Sequence, residues 1–195
     1  MSQTNSLTED AAQGGRGGTG SRTRQMVTAS LVASLVAASA WVQIPVQPVP
    51  ITLQVFFVVL AALLLAPEWA FGSMAVYLGL GAIGVPVFSG GHGGIGVLAG
   101  PTGGYLYGFI AAAGLGSSVR VLLSGTRMNA LIVDAVSATV VILVIYTVGA
   151  AHLAMVLGLS APKAIAAGVA PFIVPDGLKA AAAVIVAAAV RRAVR

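Results

Sequence analysis

The residues of this chain best placed to do chemistry are an acid and a base three positions apart, Asp176 and Lys179 in "VPDGLK" (174–179). That spacing sets both side chains on one face of a helix. They stand at the start of an apolar run, where an ionised group is costly unless it is paired or used. Two roles fit: contact with a polar ligand, or a helix-end salt bridge in which Asp176 helps to cap the helix. Asp134 lies inside a second apolar run with Arg120 or Arg127 in reach. A buried ion pair is its plain reading and a proton relay the sharper one. Enzymatic constellations are lacking, for the sequence holds no G-x-x-x-x-G-K-[ST], no H-E-x-x-H and no G-x-S-x-G. His92 and His152 make no metal constellation, so neither a metal nor a cofactor is expected.

The elements that position these groups follow from composition. Of 195 residues, 58% are hydrophobic and 8% charged, and the apolar runs approach the roughly 20 residues of a bilayer crossing. This predicts an all-α integral membrane protein. The net charge of +5 is not read as nucleic-acid binding, because the cations cluster at the ends of apolar runs, where they set topology. With no cysteine there is neither disulfide nor thiolate chemistry. Residues 1–24, rich in Gly, Ser, Thr and Arg, predict a disordered cytoplasmic tail with no cleaved signal, and 25–195 a membrane domain. Pro, Gly and Arg breaks divide that domain into six spans, about 25–45, 51–66, 69–87, 102–123, 128–149 and 176–193. The second is short for a crossing, and 150–175 reads as a long outer connection. Six spans put both termini on one side, and all eight arginines with them, which the positive-inside bias makes cytoplasmic in a cell membrane.

The opposite face receives Lys163, Lys179 and three irregular segments: "VQIPVQPVPITLQ" (42–54), "GGHGGIGVLAGPTGGY" (90–105) and "GVAPFIVPDGLKA" (168–180). Irregular backbone at membrane depth is tolerated only where protein or a water-filled cavity satisfies it. A pocket is therefore expected there, although a flexible hairpin would also account for the glycine stretch, which offers no evident side chain to anchor a core. Pocket candidates are Gln54, Phe88, Gly90, Gly91, His92, Gly93, Thr102, Gly103, Gly104 and Tyr105. Interfacial anchoring or packing is the alternative for the larger ones. In "ASLVASLVA", Ala29, Ala33 and Ala37 stand four apart, a smooth stripe for another helix, from a partner or from the same bundle.

"PVPITLQ" (48–54), "GLGAIGVPVFSGGHGGIGVLAGPTGGYLYGF" (79–109) and "APFIVPDGLKA" (170–180) resemble the BioY family, the biotin-specific substrate-binding components of energy-coupling-factor transporters. The likeness runs from about Arg24 to Arg195. It implies a six-helix bundle that captures biotin from outside and hands it to a transmembrane coupling subunit with two cytosolic ATPases. Asp176 and Lys179 match the Asp and Lys of the family's "P-G-D-L-L-K" pattern; here Pro175 directly precedes Asp176 and Gly177 follows it, which alters the local turn but keeps the spacing. The resemblance implies that Asp176 accepts a ureido N–H, that Lys179 donates to a ligand oxygen, and that the alanine stripe docks on the coupling subunit. The glycine segment would close over the ligand. A self-sufficient oligomeric carrier or channel, and a same-fold binder of another vitamin, are the competing functions.

Overall fold

The structure, a computed structural model, describes residues 22–193. Most of the tail expected over 1–24 lies outside the described residues; 22–24 are already helical. Helix α1 covers 22–39. A two-stranded antiparallel ribbon follows, β1 (Gln43–Ile44) and β2 (Ile51–Thr52), with Gln43 opposite Thr52 and Ile44 opposite Ile51. Pro45, Pro48 and Pro50 exclude helix between them and keep the ladder short. Then come α2 (Gln54–Leu64), α3 (Pro67–Ala82), α4 (Ile95–Ala99), α5 (Gly103–Ser124), α6 (Ala130–Leu157), α7 (Ala161–Gly168) and α8 (Ile173–Ala193), with 3-10 turns at Ser89–Gly91 and Ala170–Phe172.

Several expected boundaries move. The first span ends in the ribbon, so the fold is mostly rather than wholly helical. Gly149 does not stop α6, which runs on to Leu157 and shortens the outer connection. It ends where Gly158, at φ 61°, takes the left-handed conformation and Leu159 N–H returns to the Ala154 carbonyl. Helix α8 begins at Ile173, ahead of Pro175, because first-turn N–H groups have no intrahelical partner to lose. Among the described residues, three stretches are long and apolar enough to cross a bilayer: Gly103–Ser124, Ala130–Leu157 and Ala161–Ala193, the last broken by its 3-10 turn.

Helix α2 is the axis of the bundle. Beyond Gln54 it is apolar on every face, and most of it is buried: Val58, Val59, Ala61, Ala62 and Leu63 are sealed from solvent, Phe56 and Phe57 are half-buried, and α3, α5, α6 and α8 pack against it. At about 1.5 Å per residue its 11 residues extend about 16 Å, half a bilayer core. Outward-facing Leu122, Leu143, Leu178 and Ile185 are exposed, as a membrane-embedded bundle requires.

The arginine-bearing end of the bundle carries a buried ion cluster. Asp134 accepts from Arg120 Nε at 2.9 Å and from Arg191 Nη2. Arg191 Nη1 also donates to the Leu63 carbonyl at 3.3 Å, and Ser117 Oγ to the Leu65 carbonyl at 2.6 Å. These donors satisfy backbone carbonyls left open where α2 stops short. Of the two partners expected for Asp134, Arg120 is one; the second is Arg191 on α8, while Arg127 is exposed in the turn before α6.

Candidate functional site

The N-terminal ends of α2, α5 and α8 converge beneath the ribbon and the 88–102 segment, around a half-open cavity of about 630 Å³. That lies within the roughly 300–1,000 Å³ of small-molecule sites. Its wall is apolar: Val49, Val55, Leu106, Phe109, Ile145 and Phe172.

Polar groups collect along one side. Asp176, 2% exposed, receives Lys179 Nζ on Oδ1 at 2.7 Å and the Tyr146 hydroxyl on Oδ2 at 3.1 Å. Lys179 Nζ also donates to the Thr52 carbonyl at 2.6 Å, tying α8 to the ribbon across 127 positions. Thr52 Oγ1 donates to Gln54 Oε1 at 3.0 Å, Gln54 Nε2 to the Tyr77 hydroxyl at 2.6 Å, and that hydroxyl to the Val87 carbonyl at 3.2 Å. The chain of bonds thus runs from α6 through α8, the ribbon, α2 and α3 to the segment over the cavity. Such a network holds each donor and acceptor in one orientation and excludes rotamers that would leave buried groups unpaired.

Gln54, Phe88, His92, Thr102, Tyr105 and Asp176 line the cavity, and Lys179 stands behind Asp176 with its ammonium on the carboxylate. The named glycines do not line it. Gly90 and Gly91, at φ 73° and 75°, form the turn Ser89–Gly91 that brings Phe88 N–H to the His92 carbonyl at 2.9 Å. A Cβ on Gly93 would strike the Val85 carbonyl, on Gly103 the Leu98 carbonyl, and on Gly104 the Cβ of His152. Close chain packing, not approach to a ligand, is what these positions demand. Nor is the segment without anchors: Leu98 and Tyr105 are buried, and the Tyr105 hydroxyl donates to the Gly168 carbonyl at 2.7 Å.

Tyr146, Tyr77, Gln43 and Ser89 join the site without any signal in the sequence. A tyrosine in an apolar helix reads as core or as an interfacial anchor, and only the crossing of α6 with α8 sets Tyr146 on Asp176. Ala29 and Ala33 are buried in the core and Ala37 packs against it, so the alanine stripe faces the bundle. The outward face of α1 carries Ser30, Ser34 and Ala38, also four apart and exposed.

The model of the BioY family matches residues 7–195. The chain belongs to the BioY family. A "Probable biotin transporter BioY" of Pyrococcus horikoshii is 43% identical over 170 residues, covering 85% of this chain and 95% of that protein. The "Biotin transporter BioY" of Rhizobium etli is 34% identical over 175 residues, 86% and 93% of the two chains. That of Thermotoga maritima is 50% identical over 90 residues, 46% and 53%. The crystal structure of an "S-component for biotin from an ECF-type ABC transporter" has the same fold, with a TM-score of 0.82 at 24% identity over 89% of this chain and 93% of that one. BioY is a transporter family, not an enzyme family, in keeping with the missing catalytic motifs. In this BioY chain, the three segments that carried the resemblance supply most of the cavity wall, and residues from 43–47, with Val55, Ile145 and Tyr146, complete it.

Proposed function

We propose that this chain captures biotin from the outer side of the membrane, as the substrate-binding component of an energy-coupling-factor importer. A separate transmembrane coupling subunit and two cytosolic ATPases supply the energy. The observation that carries the reading is the buried Asp176, held by Tyr146 and Lys179 at the edge of an otherwise apolar cavity. A ureido ring offers N–H donors beside a carbonyl acceptor and needs the reverse from its site. An ionised carboxylate accepts about four hydrogen bonds, and Asp176 takes two from the protein. An ammonium has three N–H groups, of which Lys179 commits two. Asp176 thus accepts a ureido N–H and Lys179 donates to a ligand oxygen, while the fused ring system and alkyl chain occupy the apolar wall.

The chain crosses the membrane six times, through α1, α2 extended by the Pro-rich ribbon before it, α3, α5, α6 and α8, with both termini cytoplasmic. The distribution of arginines supports that orientation. The coupling subunit docks on the outward face of α1, where Ser30, Ser34 and Ala38 permit close helix approach and the Ser34 hydroxyl is turned back onto the Ser30 carbonyl. The test is calorimetric titration of the purified chain in detergent with biotin, beside Asp176→Ala and Lys179→Ala. One-to-one binding is expected, weakened about 10- to 100-fold in each variant, the loss of a charge-assisted hydrogen bond. No binding by a folded sample, or unchanged affinity in both variants, overturns the reading.

A further inference from the structure

Biotin is an anion, and Asp176 with Lys179 makes a neutral pair, so that pole has no net charge to hold a carboxylate. A second polar cluster lies at the ribbon and the turn over the cavity. Gln43, Ser89 and His92 all line the cavity. Ser89 Oγ donates to Gln43 Oε1, which leaves the Gln43 amide Nε2 as a donor with no protein acceptor among the described bonds. His92 Nδ1 lies 2.8 Å from the Ser89 carbonyl oxygen. A carbonyl oxygen only accepts, so Nδ1 carries its proton there, and Nε2 becomes a second donor only in the imidazolium form. Gln43 is the cross-strand partner of Thr52, whose carbonyl takes the Lys179 ammonium. The two poles are therefore offset by one strand spacing, about 5 Å, plus the reach of the Gln43 side chain, a gap that a short alkyl chain bridges.

We infer that Gln43 Nε2 and His92 Nε2 form a carboxylate subsite at the outer wall of the cavity, and that His92 takes up a proton as the ligand's carboxylate binds. This rests on the biotin reading above. The other ionisable side chains lining the cavity are Asp176, Tyr105 and Tyr146. Asp176 is already matched by Lys179, and the Tyr105 hydroxyl is committed to the Gly168 carbonyl. His92 is thus the cavity-lining residue free to supply a positive charge. The subsite makes the protein selective for the free acid over its esters and amides.

Calorimetric titration of the full chain in detergent with biotin and with biotin methyl ester, each in phosphate and in Tris, separates the two claims. The wild type is expected to prefer the acid by about tenfold or more, the size of one charge-assisted hydrogen bond. Its binding enthalpy should differ between buffers in the sense of proton uptake. In His92→Ala and Gln43→Ala the preference falls to about twofold or less, with melting temperature and monodispersity as the folding control, and in His92→Ala the buffer dependence disappears. Equal affinity of the wild type for acid and ester, a preference that survives in both variants, or a buffer-independent enthalpy overturns this inference while leaving biotin capture intact. Failure of the wild type to bind either compound overturns biotin capture itself.

Discussion

Asp134→Ala tests what holds the arginine-bearing end of the bundle. The carboxylate is 1% exposed and joins Arg120 on α5 to Arg191 on α8, whose guanidinium also caps the Leu63 carbonyl. Removing it leaves two guanidinium groups facing each other. Breaking a fully buried pair costs about 3–5 kcal/mol, but the arginine side chains here are 24% and 26% exposed. They can turn part of the way toward interfacial water, and the screened remainder is about 2–3 kcal/mol. For a chain of this size each kcal/mol shifts the melting temperature by about 2–4 °C, so a fall of about 5–10 °C is expected. Melting in detergent, followed by tryptophan fluorescence, reads it. Asp134→Asn, which keeps one acceptor, should lose about half as much. Biotin affinity should hold in both variants, because the cluster meets the far end of α2 from Gln54, about 16 Å away along the helix. A melting temperature within about 1 °C of the wild type would refute the reasoning, since removing the carboxylate alone leaves the charge of two partly buried guanidinium groups uncompensated.

Two further expectations concern packing and the polar chain. Gly104→Val should sharply reduce the yield of monodisperse protein on size exclusion, since its side chain runs into His152 and the Val148 carbonyl, an overpacking cost of about 3 kcal/mol or more. Gly96→Ala, with open space at its Cβ, should purify like the wild type. Tyr77→Phe strands the buried Gln54 Nε2, a loss of about 1–3 kcal/mol, and should lower the melting temperature by about 3–8 °C. An unchanged melting curve there would mean that Gln54 finds another acceptor.

Much of the site was legible because it depends on short-range spacing. The helical period set Asp176 and Lys179 on one face, and proline and glycine punctuation located the three segments that meet over the cavity. The errors share one cause. Glycine is read from sequence as pliability, whereas at Gly103 and Gly104 it answers a neighbouring backbone that no local pattern announces. Gly149 seemed to end a helix, yet in place it leaves room for the Tyr105 ring, which a Cβ there would overlap.

By itself the sequence determined the solvent, the apolar runs and the local registers, since hydrophobic content, helical period and the missing N–H of proline act over a few residues of chain. Only the tertiary structure decided which of these meet. Lys179 reaches Thr52 across 127 positions, Tyr146 reaches Asp176 across 30, and Arg191 in place of Arg127 closes on Asp134. Those pairings depend on where α2 stops and how α6 and α8 pack against it. A carboxylate takes the cation that packing brings within hydrogen-bond distance, not the one nearest along the chain.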